Sequence, residues 1–379
     1  MRRKTRGALI NVVLFCGVLL LILYLNTAGS GNGAKNFAWR TVRYQTTAST
    51  LPSAQGVCRG LSDTTKPALV VARINTDDTK WLDRLLDKYH LCVYTADAPV
   101  DKSSKYLQVP ENRGHEAMTY LTFIIDNYET IPSSGAVFVH GARWSWHNDN
   151  PDYDNAALLA ALNISSALTP WGYHNLRCDW SASTCPMAVA QGSFGTSINA
   201  ILEPWNQRLV SDAALPDALT ALFGFENDRL KPGVRLHLGR HDAVRAQCCA
   251  QFVVSRESIH RHTLEEYVAL RQWLLDGSSG QRANSNSSQS TKAAPPDDRI
   301  AGRIMSYVWH ILFLDYDTLN EHIDLEKLNE LACPSAAQCY CRLYGRCDLQ
   351  RCTQGRCYGQ YVIPPGYRLP EDWAATHEH

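Results

Sequence analysis

The chain has no excess charge of either sign, with 37 lysines and arginines set against 37 aspartates and glutamates. No polybasic stretch lies beyond a short N-terminal tail, which argues against nucleic acid as a partner. A phosphate-cradling P-loop, a dinucleotide fingerprint and a G-x-S-x-G nucleophile elbow are all missing, which removes the usual motif grounds for P-loop, NAD-type and α/β-hydrolase chemistry. His237, His241, His260 and His262 lack the spacing of a zinc-binding helix and read as surface or site-lining residues. Long apolar runs are also missing, with one exception: Ala8 to Leu25, broken only by Asn11 and Gly17.

That run follows Arg2, Arg3, Lys4 and Arg6. It has about the 18–20 residues needed to cross a hydrocarbon core and exceeds the apolar part of a cleaved signal peptide. Cations before the run and none just after it predict a cytosolic N-terminus. The expectation is a basic tail over 1–7 and a single-pass, type II signal anchor over 8–26, in the Golgi or endoplasmic reticulum, or at the cell surface. A cleaved signal is the alternative, because Thr27, Ala28, Gly29 and Ser30 offer small residues for processing. Both readings export the remainder. Of 13 cysteines, Cys16 lies in the run, and the even number left suits an oxidising compartment. Sequons at Asn163 and Asn286 are candidate glycan sites.

Residues 27–66 are rich in Gly, Ser, Thr, Ala and Asn and read as a flexible stem. Over 67–330 short apolar runs alternate with helical spacing, which predicts an α/β domain with a mainly parallel sheet flanked by helices. Strands are expected at Ala68–Ala72, Leu91–Tyr94, Tyr106–Val109, Gly135–His140 and Gln251–Ser255. Helical periodicity marks Leu82–Tyr89, Ala117–Tyr128 and Ile304–Leu312. Thr263 and Glu266 form a capping box opening another helix. Residues 277–300 read as a disordered insertion within the domain. Cys333, Cys339, Cys341, Cys347, Cys352 and Cys357 make 331–379 a Cys-rich tail, expected to be a separate small module held by disulfides.

Three constellations hold candidate chemistry. Asn112, Arg113 and Gly114 stand at a strand-to-helix junction, where free amides and a guanidinium suit a diphosphate; the alternative is a helix start capped by Asn112. The stretch after the fourth strand, His140 to Asp154, falls where open α/β sheets bind ligands. There His140, His147 and Asp149 are candidate catalytic groups, Trp144 and Trp146 candidate stacking faces, and Asp152 and Asp154 candidate ligands for Mg²⁺ or Mn²⁺. The alternative is a loop pinned by buried tryptophans. Around Trp171–Cys178, a disulfide-tied loop is favoured over a sugar platform. Cys248 and Cys249 are adjacent in sequence and rarely bond each other in such cases, so one of them is expected to pair with Cys178 or Cys185.

The runs Val70-Val71-Ala72-Arg73, Pro110-Glu111-Asn112-Arg113-Gly114-His115-Glu116, Val137-Phe138-Val139-His140-Gly141, Cys249 through Glu257 and Tyr307-Val308-Trp309-His310 resemble, in that order, the family of domain of unknown function 3431. The resemblance covers roughly residues 67–313. The element order is similar to nucleotide-sugar transferases of the GT-A type, which implies a glycosyltransferase-like enzyme with a nucleotide sugar and a glycan acceptor as partners. On that basis Asn112, Arg113 and Gly114 would lie near the donor. His140-Gly141-Ala142 stands where such enzymes often carry an acidic metal-binding triplet, and Ser306 where a carboxylate is usual. The rival classes are a non-catalytic carbohydrate-binding or surface interaction protein and a metal-dependent hydrolase.

Overall fold

The computed structural model describes residues 3–27, 41–46, 48–97, 103–186, 191, 193–224, 243–278, 293–316 and 324–358. Asn286, His237, His241, residues 28–40 of the stem, 279–292 of the insertion and 359–379 lie outside the described residues. Helix α1 (Arg3–Thr27) contains an apolar window, Gly7–Tyr24, of mean hydropathy 2.5 that is not covered by the rest of the chain. It fits a membrane span or signal anchor.

The main sheet has the order β3-β2-β1-β4-β6-β5, with β1 Ala68–Arg73, β2 His90–Thr95, β3 Leu107–Gln108, β4 Ala136–His140, β5 Tyr173–Asn175 and β6 Phe252–Val254. Strands β1 to β4 run parallel, and β6 is antiparallel to both β4 and β5. Leu69, Val71, Val137, Val139 and Val253 face one side, and Val70, Phe138, Phe252 and Val254 the other. Both sides are buried, which is why these strands read as unbroken apolar runs rather than alternating ones.

Helices form the outer layers. On the Phe138 side lie α2 (Glu116–Asp126), α6 (Gln207–Phe223), α8 (Leu264–Asp276), α9 (Asp298–Ser306) and α10 (Trp309–Phe313). The Val139 side is covered by a 3-10 turn Lys80–Leu85, α3 (Asn155–Ala161), α4 (Ile164–Leu168) and α12 (Ala336–Tyr344). Helices α5 (Phe194–Leu202), α7 (Arg256–Ile259) and α11 (Leu325–Ala332), and a hairpin of β7 (Gln350–Cys352) and β8 (Cys357–Tyr358), complete the described elements. The Thr263–Glu266 capping box of α8 is present as expected.

Several expectations need correction. The stem is bound from residue 41 onward: Val42 and Tyr44 are buried, and Gln55 and Gly56 donate their amides to Asp126. Carboxylates on α2 and α8 hold this strap, so no apolar period marks it. The flanks of the 277–300 insertion are also fixed, since Ala294 is fully buried and α9 begins at Asp298. The helical pattern over Ile304–Leu312 divides into α9 and α10 at Tyr307–Val308.

The Cys-rich segment packs into the body instead of standing apart. Ala336, Cys339, Tyr340 and Leu343 are fully buried, and disulfides Cys178–Cys339 and Cys185–Cys333 tie the segment to the β5 region. Cys341–Cys347 and Cys352–Cys357 close short loops, and Cys58–Cys92 joins the strap to β2. The expectation for Cys248 and Cys249 is overturned: they bond each other. Cys178 and Cys185 are taken by the C-terminal segment, whose approach was invisible in one dimension.

Candidate functional site

Chain order reverses across the sheet between β1 and β4, since β2 and β3 lie to one side of β1 and β4 to the other. Ligand crevices in open α/β sheets form at this switch, beyond the carboxyl ends of the strands. Gly141 shows how close the loops come: a Cβ there would lie 2.6 Å from Asp77 Oδ2. Arg73 ends β1, with its guanidinium bonded to Thr95 Oγ1 at 2.8 Å and to the Asn75 carbonyl at 2.8 Å, and lying over the Tyr106 ring. Burial raises the pKa of Asp77, against the opposing effects of the Ile74 amide and Arg73.

His140 ends β4 at the inner edge of this crevice, its side chain about a fifth exposed at 22%. Its Nε2 lies 2.8 Å from the Cys249 carbonyl oxygen. A carbonyl only accepts, so Nε2 carries the proton and the neutral ring presents Nδ1 as a base. Nδ1 faces Glu116 Oε2 at 3.9 Å. This pair is able to take a proton from a hydroxyl, with the carboxylate stabilising the imidazolium. Gln251 braces the assembly, because its Oε1 accepts from the His140 and Asn155 amides and its Nε2 donates to Asn148.

The other sequence-derived residues divide by what already occupies them. His147 stacks near His140, with ring centroids 4.6 Å apart, but burial pushes its pKa down to about 2, with His140 and Arg177 adding to the effect. It stays neutral at any physiological pH and is too weak a base for the role expected of it. Asp149 is 3% exposed, and its oxygens accept from the Cys178 and Asp179 amides and the Tyr340 hydroxyl. It fastens the C-terminal segment and is withdrawn from catalysis.

Asp154 receives two bonds from Arg143, at 2.9 and 2.7 Å, and also caps α3. Asp152 Oδ1 accepts from the Asp154 amide. The pair therefore does not fit the expected cation site. Among the described residues, the cluster with metal-ligand spacing is Cys58, His90 and Cys92, and its two sulfurs are joined in a disulfide. Arg143 covers one face of Trp144 at 4.3 Å. Trp146 is 55% exposed with Arg177 over its ring, and remains a stacking face.

Arg113 departs furthest from expectation. It is 3% exposed and donates to the Leu274, Gly277 and Pro295 carbonyls and to Asp298. The Asp298 carboxylate also accepts from the Gly114 amide, filling the place foreseen for a ligand's charge. Helix α2 begins at Glu116, after left-handed backbone at Gly114 and His115, so Asn112 is exposed and does not cap it. Arg113→Met is expected to cost about 3 kcal/mol of stability while leaving ligand binding in the folded fraction unchanged, because it strands an ion-pair partner and three carbonyls. Denaturant unfolding and ligand titration of the same sample check both halves.

A cleft of about 590 Å³ opens at the other end of the sheet near Ser134, Thr169, Pro170 and Ser258. Its acidic groups are Glu257 and Asp315, and Asp315 is paired with Arg261 at 2.6 Å. It lacks an acid–base pair, and the switch-point crevice is the better site. Sequence reasoning quoted Glu116 and Gln251 without giving either a role in the site and passed over Asp77. For Glu116 and Asp77, the available signal was an ionisable residue in the turn after a predicted strand or at the head of a predicted helix.

Fold and site together define an α/β domain with a polar, histidine-bearing crevice at a sheet switch point, attached to a chain with an N-terminal apolar helix. The family model described as protein of unknown function (DUF3431) matches residues 69–342, and the chain belongs to that family. The match runs through most of α12, in keeping with the C-terminal segment being built into the domain. No curated protein and no solved structure matches the chain.

Proposed function

We propose that this is a glycosyltransferase-like enzyme of the secretory pathway, held by a type II anchor in the Golgi or endoplasmic reticulum, that draws on a nucleotide sugar. The observation carrying the reading is His140: a base nitrogen, its tautomer set by the Cys249 carbonyl, beside Glu116 at the switch point of the sheet. In the transfer, an acceptor hydroxyl oxygen bonds to the anomeric carbon and its proton passes to His140. The anomeric C–O bond to the diphosphate breaks, and its electron pair leaves with the nucleoside diphosphate. Glu116 steadies the charge on His140 meanwhile.

A binding-only reading rests on one observation, the exposed Trp146 face beside Arg177, which suits stacking on a sugar ring. Thermal melts of the purified chain against a panel of nucleotide sugars, with and without Mn²⁺, separate the two. A ligand at a hundred times its Kd adds about 2.7 kcal/mol. A rise in Tm with one donor class supports the enzyme, and glycan binding with no nucleotide effect supports the lectin. Asn163 is exposed, and its Oδ1 caps α4 while the amide nitrogen is the atom a glycan would use. Endoglycosidase treatment should therefore shift the mobility of the wild type, and Asn163→Gln should remove the part of the shift due to this site.

A further inference from the structure

Three guanidinium groups gather beside the vicinal disulfide. Arg208 lies on α6, Arg303 on α9, and Arg245 on the segment that leads to Cys248. Arg303, Tyr307, Cys248, Cys249, Ser183 and Thr184 line a cavity of about 40 Å³. Arg208 and Arg245 reach its wall from behind, donating to the Ser183 and Thr184 carbonyls at 3.5 and 3.2 Å. Asp212 is the carboxylate that faces the group; it is fully buried, and its Oδ1 accepts from the Tyr307 hydroxyl at 2.7 Å.

The charges do not balance. Among the described residues three cations stand against one anion, and none of the three arginines lies within ion-pair distance of a carboxylate. Arg245 is 6% exposed, yet its Nη2 has no partner, and the Nε atoms of Arg208 and Arg303 have none either. Burial and the neighbouring Arg208 disfavour the charge on Arg245, while Tyr307 and Asp212 favour it. A buried guanidinium with unbonded nitrogens and no counter-charge in ion-pair reach is costly, and an oxyanion carrying two charges would offset that cost. Guanidinium groups are suited to phosphate oxygens in both geometry and charge.

We propose that Arg208, Arg245 and Arg303 form the site for the diphosphate of the nucleotide sugar, the role that Arg113 is too occupied to fill. The proposal rests on the transferase reading and deepens it. The location fits, because Cys249 lines this cavity and its carbonyl oxygen holds His140 Nε2. The leaving diphosphate and the acceptor's base are then separated by one residue's backbone. A cavity of this size admits one or two oxygens of a phosphoryl group, with the remainder of the donor outside. Positive charge fixed where the leaving group gains its electron pair lowers the barrier to transfer.

The test uses the full chain in lipid nanodiscs, titrated with inorganic pyrophosphate, uridine and guanosine diphosphates, and their sugar esters. Arg303→Gln and Arg208→Gln are compared with the wild type, and the ligand-free Tm of each confirms folding. Wild type should bind pyrophosphate, and each variant should bind it and the favoured nucleotide about tenfold or more weakly. If both variants bind as tightly as wild type, the arginine site is wrong although the transferase reading stands. If pyrophosphate binds through these arginines but no nucleotide sugar does, the anion site stands and the transferase reading falls. If neither binds wild type, both fall.

Discussion

Acidification below pH 6.5 is expected to destabilise the domain by about 4 kcal/mol per pH unit, through three buried histidines. His310 is 1% exposed and neither ring nitrogen has a partner, and burial lowers its pKa to about 3. His174, 5% exposed on β5, is lowered to about 4, again chiefly by burial, with its Nδ1 bonded to the Asn175 carbonyl. These two and His147, whose folded value is about 2, take up a proton in the unfolded chain near pH 6.5, whereas the folded domain resists until about pH 4 or lower. The stability they confer is complete above 6.5 and is lost as the pH falls from there towards the folded values, at about 1.4 kcal/mol per unit for each histidine. Against a total of about 5–15 kcal/mol, two units of acidification bring the domain close to unfolding. Thermal melts from pH 7.5 to 4.5 measure the slope. His310→Leu should cut it by about a third, and an unchanged slope in that variant would remove His310 from the account.

Loss of the Cys178–Cys339 bond is expected to have an effect of similar size. The two residues are 161 positions apart, so the bond closes a loop whose entropy in the unfolded chain is worth about 5 kcal/mol, with measured losses for native disulfides of about 2–5 kcal/mol. Both sulfurs are fully buried, and the bond lies beside the Tyr340–Asp149 hydrogen bond that fixes the same segment. The Cys178→Ala, Cys339→Ala double variant should unfold at markedly lower denaturant concentration and accumulate poorly when expressed. The Cys352→Ala, Cys357→Ala pair serves as a control, because its bond spans only 5 positions and should cost far less. Equal effects from the two pairs would mean that the C-terminal segment is not held to the body as described.

These two effects also show where the sequence was readable. Strands β1, β2, β4 and β6 announced themselves because a core strand covered on both faces is apolar on both. Strand β5 did not: its Tyr173, His174 and Asn175 are a three-residue strand with a buried histidine at the centre. The strap over residues 41–66 was taken for a stem because hydrogen bonds to Asp126, Glu266 and Asp276 hold it, and such bonds leave no period. In the site, His140 was legible from its position at a strand's end. Arg113, Asp149 and Asp154 were chosen for their chemistry, but what neutralises them lies from 11 to 191 positions away, so their engagement was not legible. The arginine cluster is assembled from residues 208, 245 and 303 and had no local signature.

The most direct measurement is release of nucleoside diphosphate from the donor that raises Tm, followed over pH for wild type and His140→Ala. With His140 as the base, wild type turns over and the variant loses about 100-fold or more in kcat, while the donor-induced rise in Tm persists. Equal turnover and an identical profile in the two proteins, or no turnover of any donor by folded wild type, would contradict the account.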